Sequence, residues 1–254
     1  MARVSTFLII VALIGGTVGC APARYELTIS STEGGSVTNP GEGIYAYDAG
    51  TKVNLVAVAD EGYQFARWTG DVSTVADVED ATTTITMNSD YSITATFAVK
   101  QYTLVIHSTE GGSVTAPGEN AYTYKKGEVV NLVAAPHEGY VFVKWTGDVA
   151  TIADVDAAST TITMNGGYAI TANFAKGIWD WYDLDAIRNN LSGHYVLVND
   201  LDVTAAGYDE LAGPKANQRR GWKPIGYGGW SDGPRGSEGF AGTLDGRGLS
   251  LIHI

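Results

Sequence analysis

A chain of 254 residues has room for one to three domains, and its formal net charge of −12 argues against a nucleic-acid-binding protein, which needs a basic face. Only 17% of the residues are charged, and small, β-branched and aromatic residues are abundant, as is typical of short strands joined by turns. The single cysteine, Cys20, excludes a disulfide within the chain.

The N-terminus predicts export. Arg3 is followed by an apolar run over residues 7–18. This run is shorter than the ~20 residues that a membrane-spanning helix needs, so it is better explained as the hydrophobic region of a signal peptide.

The segment Thr17-Val18-Gly19-Cys20 resembles a bacterial lipobox, with Thr17 at the position where leucine is usual. The resemblance implies that residues 1–19 are a signal peptide of the lipoprotein type and that Cys20 is lipidated, which would anchor the protein to envelope lipid. The alternative is ordinary signal-peptidase cleavage after Ala23, which would release a secreted protein without cysteine.

Two copies of one module follow the signal region. Residues 25–99 align with residues 102–176 without a gap, and 48 of the 75 aligned positions are identical. Such self-similarity indicates tandem repeats of one fold. Within each copy, apolar and polar residues alternate between Gly-, Asn- and Asp-rich turns, and no stretch has a convincing helical period. The sequence therefore predicts two small all-β modules.

Each copy contains an aromatic strand with the pattern Gly-Tyr-x-Phe-x-x-Trp-Thr-Gly-Asp. The Tyr and Phe rings share one strand face, whereas the Trp three residues later would face the other way. Either both faces are covered, or a bulge near Arg67 and Lys144 returns the indole to the core. We expect core packing for these rings rather than ligand binding. The signature residues are Tyr63, Phe65, Trp68, Tyr140, Phe142 and Trp145.

The Glu-Gly-Gly-Ser-Val turn, the aromatic signature and a closing Tyr-x-Ile-Thr-Ala-x-Phe strand together resemble the divergent internalin-type B-repeat of bacterial surface proteins. The resemblance covers residues 25–176 and implies a β-grasp-like module that acts as a spacer or adhesive unit, without catalytic residues. The acidic loops 71–80 and 148–156 carry oxygen ligands, but their spacing fits no calcium-loop template. We expect solvated loops there and no metal or cofactor.

From Gly177 the pattern changes. Asp183 is the predicted N-cap of a short helix that ends at Gly193, because Leu184, Ile187 and Leu191 recur at helical spacing. A strand is predicted over residues 194–198.

The C-terminal segment, residues 177–254, resembles the opening of a GLUG-type domain. The resemblance rests on the short helix, a strand over 197–202, a Gly-Trp-Lys-Pro-Ile-Gly strand over 221–226 and the turn Phe-Ala-Gly-Thr-Leu-Asp-Gly-Arg-Gly over 240–248. It implies a right-handed parallel β-helix with an N-terminal capping helix. About one coil is present, whereas solenoids normally need three or more repeats, so we expect a truncated β-helix that belongs to a longer protein.

Motifs for catalysis are weak. Gly229-Trp230-Ser231-Asp232-Gly233 matches a nucleophile motif, but no buried strand precedes it, Pro234 opposes a following helix and no histidine partner suggests itself. The four histidines have no metal-ligand spacing. We predict no catalytic residue and no metal ligand.

The loop over residues 214–235 gathers cations and aromatic rings in an otherwise acidic chain. Such a combination suits a glycan or an anionic polymer. The alternative is that Trp222 belongs to the core and that the charges keep a long loop soluble. The candidate contact residues are Trp222, Tyr227, Trp230, Arg219 and Arg220.

These features predict an exported, non-enzymatic cell-surface protein. Its two β modules would hold the β-helix away from the envelope for adhesion or for contact with matrix, glycans or surface proteins. The alternative is a carbohydrate-active enzyme of the pectate-lyase-like β-helix type whose catalytic residues lie beyond Ile254. Both hypotheses depend on analogy at the level of the fold.

Overall fold

The computed structural model describes residues 23–225 and 239–251. The chain divides into two compact units, one up to Val99 and one from Lys100 onward. Cys20 and the Gly229–Gly233 motif lie outside the described residues. Among the residues that are described, no helix has the length and apolar character needed to cross a membrane.

From residue 23 onward, where the description of the first unit begins, seven strands form two sheets. A four-stranded sheet has the order β3-β1-β7-β5, and a three-stranded sheet has the order β2-β4-β6. All neighbours are antiparallel except the central pair β1 and β7, which is parallel. The strands are β1 (Arg24–Ser31), β2 (Gly35–Asn39), β3 (Gly43–Asp48), β4 (Lys52–Ala59), β5 (Tyr63–Gly70), β6 (Thr82–Thr86) and β7 (Tyr91–Val99).

The core of this unit combines alternate residues of both sheets. In β4, for example, Val53, Leu55 and Ala57 are buried, whereas Asn54 between them is exposed. Side chains from the four-stranded sheet complete the same cluster. The strict alternation follows from the two-residue period of a strand with one covered face, and it confirms the all-β prediction for the repeats.

The second unit begins with the same topology. The strands are β8 (Gln101–Ser108), β9 (Gly112–Ala116), β10 (Ala121–Lys125), β11 (Val129–Pro136), β12 (Tyr140–Gly147), β13 (Ser159–Thr163) and β14 (Tyr168–Ile178). Strands β8, β10, β12 and β14 form the larger sheet, and β9, β11 and β13 form the smaller one. The closing strand differs between the copies, because β14 has 11 residues and β7 has 9.

The Gly-Gly turn and the aromatic strand of each repeat depend on one another. Gly34 has a φ of +99°, and a Cβ atom there would lie 2.2 Å from the Tyr63 ring. A Cβ atom on Gly35 would lie 2.5 Å from the Phe97 ring. The second repeat has the same close approaches. Both glycines are therefore required, since the rings pack directly on their backbone.

After β14 the described residues form short helical segments and two further strands. These are α1 (Trp181–Ala186), a 3-10 turn (Ile187–Asn189), β15 (His194–Leu197), a π-helical turn (Tyr208–Ala212), α2 (Ala216–Arg219) and β16 (Thr243–Asp245). Strand β15 confirms the strand that was predicted over residues 194–198.

The prediction of a helix with Asp183 as N-cap and Gly193 as its end was wrong in both the N-cap and the length. The N-cap is Asp180, whose carboxylate accepts a hydrogen bond from the backbone N–H of Asp183 at 2.9 Å. Asp183 lies in the first turn, and its own carboxylate accepts the backbone N–H of Trp179 at 3.0 Å. Asp180 therefore caps the helix while Asp183 holds the residue that precedes the cap, and the helix starts two residues before Asp183.

The predictions of strands over residues 197–202 and 221–226 were wrong as well. Strand β15 ends at Leu197, and beyond it Leu201 forms only an isolated parallel bridge with Leu251. Residues 221–225 are not a strand. The backbone carbonyls of Lys223 and Pro224 accept hydrogen bonds from the Arg188 guanidinium instead of from a neighbouring strand.

The C-terminal segment extends the larger sheet of the second repeat. Strand β15 pairs in parallel with the last three residues of β14, and β16 pairs in parallel with β15. Ala175 on β14 is only 4% exposed, whereas the equivalent Ala98 of the first repeat is exposed. The segment and the second repeat thus share one sheet.

This shared sheet predicts that the C-terminal segment depends on the repeat. Residues 177–254 expressed alone should lose slow amide exchange at residues 195–197, because the fragment keeps only the last two residues of β14, cut off from the sheet that holds them in place. Residues 100–254 should retain it. Hydrogen-exchange measurements on both fragments test this expectation, and strong protection throughout residues 194–248 of the isolated segment would contradict it.

Candidate functional site

The structure places the aromatic signature inside each module, at a bulge. In the first repeat the register with β7 changes between Phe65 and Arg67, and in the second it changes between Phe142 and Lys144. The additional residue turns the indole of Trp68 inward, where it is fully buried. Its N–H donates to the backbone carbonyl of Asp80 at 3.1 Å. In the second repeat, the Trp145 indole donates in the same way to the backbone carbonyl of Ala157.

The acidic loops use carboxylates to hold backbone turns. Asp71 accepts the backbone N–H of Ser92 at 2.9 Å, and Asp148 accepts that of Ala169 at the same distance. Asp80 accepts the backbone N–H of Thr82. No group of three or more His, Cys, Asp or Glu side chains over residues 23–225 and 239–251 is arranged to hold a metal ion.

The candidate glycan loop is described only in part. Tyr227 and Trp230 lie outside the described residues. The Trp222 ring packs against the core of the C-terminal segment, 5.5 Å from the Trp181 ring. The Arg188 guanidinium lies 5.2 Å from the Trp222 ring centroid, a cation–π contact that sequence analysis missed.

The two remaining residues of this candidate set, Arg219 and Arg220, are exposed. They lie in and just after α2, where the backbone of Arg219 has a φ of +68°. The structure brings neither arginine into contact with Trp222 among the contacts that it describes.

A cleft of about 520 Å³ lies between the second repeat and the C-terminal segment. It follows from a gap in the sheet beside β14. Strand β8 pairs with β14 up to Ala172, and β15 resumes the pairing on the same edge at Lys176. The opposite edge of β14 is taken by β12. Among the described strands, none pairs with residues 173–175 on the β8 edge, and the cleft opens there.

Polar side chains from the repeat line one side of this cleft. The amide nitrogen of Asn173 donates to the backbone carbonyl of Lys144 at 3.1 Å and to the Thr146 hydroxyl at 2.8 Å, so the amide has a fixed orientation. Lys176 and Glu110 complete this side. Within the described part of the chain, the side chains of Lys144, Lys176 and Glu110 take part in no hydrogen bond or ion pair.

The C-terminal segment supplies the other side. His194 Nδ1 and the Thr243 hydroxyl are 2.8 Å apart. The Tyr195 hydroxyl donates to the backbone carbonyl of Asn190 at 2.6 Å. Burial of the Tyr195 ring, with a smaller effect of Tyr140, raises the pKa of this hydroxyl. The hydroxyl therefore stays neutral and remains a donor at ordinary pH.

The cleft is not evident from the sequence alone, although a signal exists in the differences between the repeats. Three lining residues of the second repeat, Val143, Asn173 and Lys176, replace Ala66, Thr96 and Val99 of the first. The second repeat has an additional cation and an additional amide at the place where the C-terminal segment adds to its sheet.

Comparison with known families identifies the repeats. Residues 25–101 and residues 102–178 each match the family model described as the divergent InlB B-repeat domain. The two matches together cover more than half of the chain. No curated protein matches the chain.

Proposed function

The chain belongs to the divergent InlB B-repeat family, and from this premise we propose that it is an exported surface protein whose two repeats act as a spacer. The spacer carries the C-terminal segment away from the envelope. The observation that carries this proposal is that one module of fixed topology occurs twice, each time with its own core. A module that buries its own apolar residues needs no partner, so adding modules adds length without adding a binding requirement.

A non-catalytic role is consistent with how the C-terminal carboxylates are used. Asp200 accepts the backbone N–H of Ser250 at 2.7 Å. Asp202 accepts hydrogen bonds from the Thr204 hydroxyl and backbone N–H, and these bonds lower the pKa of the Asp202 carboxyl. A carboxylate that is held in its ionised form by a turn is poorly suited to act as a general acid.

The C-terminal segment is proposed to be the beginning of a parallel β-helix of the GLUG type. Support comes from the consecutive parallel pairing of β14, β15 and β16, together with the parallel bridge between Leu201 and Leu251. In such an arrangement the larger sheet of the second repeat would be the surface on which the first coil stacks, and α1 would cover its end.

Anchoring through Cys20 is the first half of the test. In a bacterial host, the wild-type protein should incorporate a palmitate analogue and remain with the membrane fraction, whereas Cys20→Ala should be unlabelled and released. The control is Thr17→Leu, which restores the usual lipobox residue and should be labelled at least as well as the wild type. Absence of label in all three proteins would contradict the anchor and favour cleavage after Ala23.

Spacing is the second half of the same test. Deletion of residues 25–101 joins Arg24 directly to Tyr102. Because residue 25 is also a tyrosine, the new junction has the same two residue types as the natural one. On intact cells the shortened protein should bind less antibody against the C-terminal segment. A matched control replaces residues 25–101 with a second copy of residues 102–178, which keeps the length and should keep full accessibility. Equal accessibility of the shortened and full-length proteins would contradict the spacer.

A further inference from the structure

We propose that the cleft beside β14 binds a short segment of an acidic polysaccharide, a sugar chain that carries carboxylates. The cleft is formed jointly by the second repeat and the C-terminal segment, so it does not exist in the first repeat alone. This inference extends the surface role that is proposed above but does not rest on it, because binding is a property of the purified protein.

The dimensions and construction of the cleft suit a small ligand. Its volume of about 520 Å³ falls within the range of about 300–1,000 Å³ that is usual for small-molecule sites. Most of its lining residues lie on β12, β14, β15 and β16, four strands of one sheet, and the rest, Glu110 among them, lie in the turns at residues 109–110 and 190–193. Side chains on strands are held more firmly than side chains on loops, so the cleft is formed before a ligand arrives.

The charges of the cleft indicate a ligand with isolated negative groups. Lys144 and Lys176 come from adjacent strands and have no acidic partner among the described residues, although the chain carries 28 acidic residues against 16 basic ones. Unpaired ammonium groups in a concave site attract carboxylates and form charge-assisted hydrogen bonds with them. Lys176 stands where the first repeat has Val99, so this charge is specific to the cleft.

Glu110 and Asp245 line the same cleft and exclude a densely charged anion. A polyphosphate or a heavily sulfated chain would place negative charge against both carboxylates, which is unfavourable. A uronate chain carries one carboxylate on each sugar and hydroxyls elsewhere. Its carboxylate can approach the lysines while its hydroxyls donate to Glu110 and Asp245.

The uncharged groups of the cleft also suit sugar hydroxyls, which donate and accept at once. Both the amide orientation of Asn173 and the contact between His194 and Thr243 are fixed by hydrogen bonds inside the protein. Asn173 donates through its nitrogen, so its carbonyl oxygen is left to accept. The half-buried ring of Tyr140 adds an apolar surface of the kind that the carbon face of a sugar contacts.

The test is calorimetric titration of the purified protein, residues 24–254, with a galacturonate trimer and, in parallel, with a neutral galactose trimer. The acidic trimer should bind at least about tenfold more tightly, and added salt should weaken its binding by screening the lysine charges. Equal binding of the two trimers, or no binding of the acidic one, would overturn the proposal.

Variants copied from the first repeat test the site itself. Lys176→Val and Asn173→Thr introduce the residues that the first repeat has at these places, so both variants should fold with unchanged melting temperature. Lys176→Val should weaken binding of the acidic trimer by about tenfold, the usual effect of losing one charge-assisted hydrogen bond. Lys125→Val removes an equal charge from β10, outside the cleft, and should leave binding unchanged. Equal losses for the two lysine variants would overturn the proposal, since they would indicate attraction to net charge alone.

Discussion

Replacing Trp68 with alanine should lower the free energy of unfolding of the first unit by about 3–5 kcal/mol. The indole is 0% exposed, and the Phe65 ring lies 5.7 Å from it. Alanine would leave a cavity between the two sheets and would remove the partner of the Asp80 carbonyl. Trp145→Ala should have the same effect on the second unit, because its indole is 1% exposed and donates to Ala157.

Amide hydrogen exchange, measured in each unit at increasing denaturant concentration, gives the loss in free energy of unfolding separately for the two repeats. Each substitution should accelerate exchange only in its own unit. A suitable control is Val58→Ala on β4, where the side chain is 48% exposed and the expected loss is within about 0.5 kcal/mol. If Trp68→Ala and Val58→Ala had equal effects, the indole would not be part of the core and a binding role would be the better explanation.

Substitution of Gly147, the glycine of the Trp-Thr-Gly-Asp motif, should be about as damaging. Its φ is +97°, and a Cβ atom would lie 2.3 Å from the backbone carbonyl oxygen of Ala169. A backbone atom inside a paired strand cannot move aside as a flexible side chain can. Gly147→Ala therefore combines the cost of the left-handed conformation with overpacking, about 2–5 kcal/mol in total.

Gly127 provides a matched control within the same repeat. It also has a positive φ, +82°, but a Cβ atom there would meet nothing within 4 Å. Gly127→Ala should therefore lower the free energy of unfolding only by the cost of the backbone conformation, about 1–2 kcal/mol. Denaturant titration of residues 100–254 with each substitution gives the difference. Equal losses in the free energy of unfolding for the two variants would show that the close approach of Gly147 to the Ala169 carbonyl adds nothing to the cost of the substitution.

The local features of the repeats could be predicted from the sequence because they depend on neighbouring residues. Two-residue alternation identified strands such as β4, and the glycines marked their turns. The three-residue step from Phe65 to Trp68 breaks that period, and this left only two alternatives, of which the structure has the bulge.

Other features depend on contacts between distant residues and could not be predicted. The parallel pairing of β1 with β7 joins residues more than 60 positions apart. The cleft was missed for the same reason, since it exists only where β15 adds to β14 in parallel. The helix cap is a local error of another kind, because Asp180 and Asp183 are both good acceptors and the sequence does not show which of them accepts the helix N–H.

The parallel pair at the centre of each repeat also determines how a repeat responds to tension. The chain enters the first repeat through β1 and leaves it through β7, and these strands are parallel neighbours with register from Leu27–Tyr91 to Ser31–Ala95. A pull on the two ends of the repeat therefore drives the strands past each other along their length. The hydrogen bonds between them are loaded together in shear and cannot open one at a time. Such a geometry resists mechanical extension.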